Sequence, residues 1–121
     1  MILKNVLLIV KDIERSRRFY QDLLGLTVTA DLGKKILFAG GVVIEESSVW
    51  EDALRCTAVY GNHDAELYFE DPDIENIRKK LRIFGYEAGY LKAADEEDSE
   101  VIRFYDPDGH IIEVRRSSTC A

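Results

Sequence analysis

The stretch Phe104-Tyr105-Asp106-Pro107-Asp108-Gly109-His110-Ile111-Ile112-Glu113-Val114 decides the fold. It reads as the end of one strand, a tight turn and a second strand. Pro107 has its φ pre-set for the first corner of a turn. Asp106 and Asp108 can bond their own backbone, and Gly109 takes a positive φ at little steric cost. Apolar residues flank the turn, so a β-hairpin follows. Glu113 is the odd member. Side chains alternate along a strand, so Ile112 and Val114 face one way while Ile111 and Glu113 face the other. A carboxylate on an enclosed sheet face costs free energy unless it is paired, hydrogen-bonded or bound to a metal. The plainer alternative is a solvent-facing Glu on a half-exposed strand.

Outward from the hairpin, the rest of the chain reads as short strands and two amphipathic helices. Leu3 to Val10 is a strand, apolar on both faces and therefore expected to be buried in the middle of a sheet or barrel. Asn5 interrupts it, and Asn is depleted in strands. Asp12 caps a helix whose apolar stripe is Ile13, Tyr20, Leu23 and Leu24, helped by Phe19, and Gly25 ends it. Arg15, Arg17 and Arg18 form its wet side. Strands follow at Thr27 to Asp31, Lys35 to Ala39 and Val42 to Glu46, with Glu45 again a carboxylate in an apolar run. Val49, Trp50, Ala53 and Leu54 have roughly helical spacing. Trp50 reads either as a core plug or as a pocket lining. Gly61-Asn62 marks a turn, and His63 beside it reads as a surface residue. Ala65 to Glu70 is a strand. Asp73 opens a helix with Ile74, Ile77, Leu81 and Phe84 on one stripe, and Gly85 ends it. Glu87 to Lys92 is a strand, Asp95-Glu96-Glu97-Asp98 a solvated acidic loop, and Glu100 to Tyr105 the strand that enters the hairpin.

The order of strand, helix and three strands therefore occurs twice. Lys11-Asp12-Ile13-Glu14 opens the first helix and Pro72-Asp73-Ile74-Glu75 the second. Gly41-Val42-Val43-Ile44-Glu45 matches Gly109-His110-Ile111-Ile112-Glu113, with Gly and Glu four residues apart in both. Asn5 falls opposite Glu66, or opposite Ala65 if the strand shifts by one. The chain reads as one domain, residues 1–121, duplicated at about 1–60 and 61–121. Symmetry would bring Asn5, Glu45, Glu66 and Glu113 onto one face, and four polar positions at repeat-equivalent sites argue for an inward, functional role for Glu113.

Composition sets outer bounds. The chain has 121 residues, 46% of them hydrophobic and 32% charged, with a formal charge of −7. That balance argues against nucleic acid and anionic membranes as partners. Cys56 and Cys120 fit neither zinc spacing nor a disulfide framework. No apolar run approaches the ~20 residues of a membrane span, and no signal peptide is visible, so a soluble cytoplasmic protein is the expectation.

The segment Val10-Lys11-Asp12-Ile13-Glu14-Arg15-Ser16-Arg17-Arg18-Phe19-Tyr20, then Leu24-Gly25-Leu26, resembles the opening of a vicinal-oxygen-chelate domain. This superfamily holds glyoxalase I, bleomycin-resistance proteins and extradiol dioxygenases. The hairpin from Phe104 to Glu113 resembles its closing signature. The resemblance implies an α+β fold of two βαβββ units in a curved, half-open sheet, with helices outside, and a homodimer. It further implies a divalent metal that binds substrate oxygens and stabilises an oxyanion. Carried over position by position, the ligands fall on Asn5, Glu45, Glu66 (or Ala65) and Glu113. Both acidic positions are kept and both histidines are lost. An all-oxygen set suits Mn, Mg or Ca rather than Zn.

Two functions follow. The first is a glyoxalase-like, metal-assisted lyase or isomerase acting on a small oxygenated or thiol-conjugated metabolite, with Glu113 and Glu45 catalytic. The second is a metal-free small-molecule binding or drug-sequestering protein of the bleomycin-resistance type. It would use Trp50, Tyr68, Tyr90 and Tyr105 as an aromatic lining and, given the net charge, would favour a cationic ligand. Against an extradiol dioxygenase, neither His63 nor His110 falls on a ligand position. His110, in the hairpin turn, reads as structural.

Overall fold

The computed structural model describes residues 1–86 and 100–118. The architecture is α+β. The chain divides into two compact units, Met1–Val59 and Tyr60–Ala121. The strand expected at 87–92 and the acidic loop at 95–98 lie outside the described residues.

The first unit runs β1 (Val6–Val10), α1 (Ile13–Arg18), β2 (Val28–Asp31), β3 (Lys35–Phe38), β4 (Val42–Glu46) and α2 (Ser47–Leu54). Its sheet order is β1-β4-β3-β2. β1 lies parallel to β4, and β3 antiparallel to both of its neighbours. The sequence pattern starts the first strand at Leu3 in mid-sheet. The structure starts it at Val6 and places it outermost, with Val6 and Leu7 exposed. The reason is its partner: Val6 pairs with Val42, the first residue of β4, and donates its N–H to Gly41 O at 2.8 Å. Among the described residues, no strand pairs with the residues before Val6.

Asp12 caps α1, its carboxylate accepting from Arg15 N at 3.1 Å. The helix then widens into a π-helical turn, Phe19–Leu23, closed by the Leu24 N–H on Phe19 O. Widening spreads Phe19, Tyr20 and Leu23 over a broader arc of the core face, and all three are buried. They join Leu8, Val10, Ile36, Phe38 and Ile44 in the core, where Tyr20 and Phe38 have ring centroids 6.0 Å apart. α2 matches the helical spacing in the sequence, yet buries none of its residues fully. Trp50 is half-buried and is no core plug.

The second unit runs β5 (Glu66–Asp71), α3 (Ile74–Ile83), β6 (Val101–Tyr105) and β7 (Ile111–Arg116), in sheet order β5-β7-β6. The pairing scheme of the first unit recurs: the opening strand is parallel to the last, and the strand before the last is antiparallel to it. Asp73 caps α3 through Asn76 N, and Ile74, Ile77 and Leu81 turn inward on the 3.6-residue period. They bury with Ile102, Phe104, Ile112 and Val114 from the sheet. That leaves the opposite sheet face, carrying the odd-numbered residues of β6 and β7, for other work.

Phe104 is fully buried, whereas Tyr68 is 52% exposed. Phe104→Ala is expected to cost about 3–5 kcal/mol by urea unfolding. Tyr68→Ala is expected to cost under about 1 kcal/mol. Equal losses would contradict the assignment of the two sheet faces.

Candidate functional site

The open face of the second unit is built in rows. β7 is the middle strand, and register sets what lies beside each of its residues. Glu113 has Tyr68 of β5 on one side and Arg103 of β6 on the other. One row along, Ile111 lies between Glu66 and Tyr105; one row the other way, Arg115 lies between Glu70 and Val101. Directly opposed residues share a face, so Tyr68, Glu113, Arg103, Tyr105 and Arg115 belong to one surface.

Glu113 is only 7% exposed although it points away from the α3 side. Its charge is met by protein. Arg103 Nε donates to Glu113 Oε1 at 2.7 Å, and Arg115 Nη2 lies 3.9 Å from Oε2. A buried carboxylate with a charge-assisted bond of this length is stabilised where a bare one would not be. Arg103 itself keeps 28% of its side chain exposed.

Tyr105 lies next to this pair on β6. Its Oη is 2.9 Å from His63 Nε2, and the two rings stack with centroids 5.4 Å apart and planes 24° apart. His63 has φ 57°, the left-handed region that non-glycine residues enter at some cost.

The hairpin that ends β6 is organised by Asp106, which is buried. Its Oδ1 accepts from Asp108 N at 2.9 Å and His110 N at 2.8 Å, while Oδ2 lies 2.7 Å from His110 Nδ1. Burial alone would lower the His110 pKa. The hydrogen bond and charge of Asp106, with Asp108 behind it, outweigh burial and hold it above the ordinary value. His110 also packs edge-on against Tyr60. It is structural.

The other expected site residues fall as follows. Glu45 of β4 is half-buried, between Ile9 and Lys35 in register. Asn5 is exposed and precedes β1. Because Ile9 pairs with Glu45, Asn5 stands four residues off along the strand, about 13 Å at ~3.3 Å per residue. Glu66 is exposed at the start of β5, one row from Glu113 on the same face. Ala65 is exposed just before the strand. Trp50 is half-buried on α2, and Tyr90 lies outside the described residues. Among the described residues, no group of three or more His, Cys, Asp or Glu side chains is placed to hold a metal ion.

Sequence reasoning missed the basic partners. Lys35 lies opposite Glu45 and Arg103 opposite Glu113. The 68-residue offset that separates the two glutamates also separates the two basic residues, so the repeat itself carried the signal.

Paired strand–helix–strand units, each with a carboxylate on the last strand, define a glyoxalase-like protein. The chain belongs to the glyoxalase-like domain family, whose model matches residues 3–119. Its fold is similar to that of a protein of unknown function from Agrobacterium tumefaciens, 35% identical with a TM-score of 0.80 over 97% of this chain and 94% of that one. It is also similar to the fosfomycin resistance protein FosX from Listeria monocytogenes, at 22% identity and a TM-score of 0.71, covering 98% and 96%. A glyoxalase/bleomycin resistance protein/dioxygenase from Nocardioides is 18% identical with a TM-score of 0.64, covering 100% and 86%. The likeness to the last two is one of fold. No curated protein matches the chain. No helix among the described residues is long and apolar enough to cross a membrane.

The His110–Asp106 pair has a definite pH signature. A raised folded pKa contributes stability that is full below the unfolded value near 6.5 and is lost as pH rises through the folded value. Asp106→Asn keeps an acceptor for the turn and removes the charge. Its destabilisation, about 1–3 kcal/mol, is expected to be larger at pH 6 than at pH 9, and the His110 ring titration followed by NMR is expected to move to lower pH. An unmoved titration would contradict the pairing.

Proposed function

We propose that this glyoxalase-like protein holds a small oxygenated, anionic metabolite on the open face of β5-β7-β6, with Arg103 rather than a divalent metal as its positive centre. The observation that carries the reading is the 2.7 Å bond from Arg103 Nε to Glu113 Oε1, in a glutamate only 7% exposed. A carboxylate already bonded to a guanidinium is a poor metal ligand, because the metal must first displace a neighbour of equal sign. The oxygen set does not fit a metal on two further counts. Asn5 is about 13 Å along the strand from Glu45, and Lys35 lies opposite Glu45 in backbone register, as Arg103 lies opposite Glu113.

The ligand class follows from charge. Arg103 and Arg115 both approach the one carboxylate of Glu113, at 2.7 and 3.9 Å. Two guanidinium groups thus face the one carboxylate of Glu113, although the net charge of the chain is −7. Glu66 and Glu70 are exposed on the outer strand β5, where water screens them. An anion therefore replaces the cationic ligand that net charge alone favours. Tyr68 and Tyr105 supply aromatic walls on either side of β7. This is the binding-protein reading of the family.

A metal-assisted lyase or isomerase is the second reading, with Glu113 and Glu45 catalytic and Mn, Mg or Ca held by Asn5, Glu45, Glu66 and Glu113. What favours it is that the E126Q variant of FosX from Listeria monocytogenes, 21% identical, was crystallised with Mn(II) and 1S,2S-dihydroxypropylphosphonic acid.

Calorimetric titration of chelator-treated protein with Mn, Mg, Ni and Zn separates the readings. The expected result is no stoichiometric binding tighter than about 1 mM, an affinity of roughly 4 kcal/mol. Stoichiometric Mn binding that disappears in Glu113→Ala would overturn the first reading in favour of the second.

A further inference from the structure

We propose that residues 60–63 form a strap latched onto the β6–β7 hairpin, with the His63 ring covering Tyr105 at one end of the open sheet face and baring it when the strap lifts. The latch stands on contacts within the second unit alone. Its use as a gate for a ligand rests on the anion-holding reading of that face.

Three contacts run in sequence along the strap, each to the hairpin or the strand that enters it. Tyr60 packs edge-on against His110, with ring centroids 6.4 Å apart. The backbone of Gly61 passes so near Gly109 that a β-carbon on Gly109 would lie 3.7 Å from Gly61 Cα and N. His63 then stacks on Tyr105 at 24°, with centroids 5.4 Å apart, and its Nε2 lies 2.9 Å from Tyr105 Oη. Strap and hairpin therefore run alongside each other over the whole turn before the chain enters β5.

The two sides of this contact differ in how firmly they are held. On the hairpin side, buried Asp106 fixes the turn by accepting from the backbone N–H groups of Asp108 and His110. On the strap side, Gly61, Asn62 and His63 are exposed. The strap also carries strain. Gly61 has φ 74° and takes it freely, but His63 has φ 57°, the left-handed region that a side-chain-bearing residue enters at a cost. One hydrogen bond between exposed groups and one ring stack are of the same order as that cost. A strained segment held so narrowly is poised to leave its partner.

What it uncovers gives the device its use. Tyr105 alternates with Phe104 on β6, so it shares the open face with Arg103 and Glu113 while Phe104 is buried on the α3 side. In the closed state one face of the Tyr105 ring is occupied by imidazole and its hydroxyl is engaged. A ligand on the open face gains that aromatic wall and that hydroxyl only after His63 has moved aside.

Acetylation of tyrosine hydroxyls by N-acetylimidazole, read at each tyrosine by peptide mass spectrometry, tests the latch without any ligand. Tyr68, 52% exposed on the neighbouring strand β5, is the internal control. His63→Asn removes the ring and keeps a residue at ease at positive φ. The expected result is an acetylation rate at Tyr105 about ten-fold higher in His63→Asn than in wild type, with the Tyr68 rate unchanged. Tyr105→Phe tests the same contact from the other side: His63 is expected to react faster with diethyl pyrocarbonate, while His110, tied to Asp106, keeps its wild-type rate. An unchanged Tyr105 rate in His63→Asn would overturn the latch, and so would an equal rise at Tyr68, which would mark general loosening. Neither rate depends on Arg103 or on a metal, so the latch and the anion-holding reading fail separately.

Discussion

A carboxylate on a sheet face that water barely reaches must meet a positive charge or give up its own. Glu113 meets Arg103. That bond sits at the middle of the open face of the second unit. β7 runs between a parallel and an antiparallel neighbour, so its middle residue is covered on both flanks. The antiparallel neighbour puts Arg103 directly opposite, at the short cross-strand spacing where a side chain reaches across. The ion pair is thus a product of register. A slip of one residue in β6 would turn Arg103 to the α3 side and bring Ile102 or Phe104 to the carboxylate.

The first unit repeats the arrangement with a different base. Lys35 and Glu45 are opposed in register as Arg103 and Glu113 are. Each unit has a basic residue opposite its carboxylate in register. A guanidinium differs from a metal in consequence. It cannot polarise an oxygen as strongly, but it binds planar oxyanions with two parallel bonds and stays charged at every working pH. A protein built this way is suited to hold an acid, and it needs a separate group to move protons.

Much of the fold was legible because it rests on short-range rules. Asp12 and Asp73 announced the two helices, the Pro107–Gly109 turn announced the hairpin, and alternation in Ile111–Val114 put Glu113 on the face away from the helix. The misjudged first strand shows where such rules stop. Leu3 is as apolar as Leu8, and only the start of the partner strand at Val42 decides that pairing begins at Val6. Trp50 is similar: helical spacing located α2, but whether the ring is buried depends on what packs over it. The site was less legible. Glu113 and Glu45 stood out because they break an apolar pattern. Arg103 and Lys35 did not, since an Arg or Lys in an exposed strand position looks ordinary until register pairs it with something. His63 reads as a surface residue and is exposed, but its contact with Tyr105 was not legible, because the two are 42 residues apart in the chain.

In the proposed reading, Arg103 supplies the counter-charge of Glu113 in place of a metal. A double-mutant cycle tests it most directly: unfolding free energies of wild type, Arg103→Met, Glu113→Gln and the double variant, measured in chelator and again in 1 mM Mn. The account predicts a coupling energy of about 1–3 kcal/mol between the two residues in chelator and no rise in wild-type stability with Mn. Coupling below about 0.5 kcal/mol, or Mn stabilisation of wild type that Glu113→Gln abolishes, would contradict it.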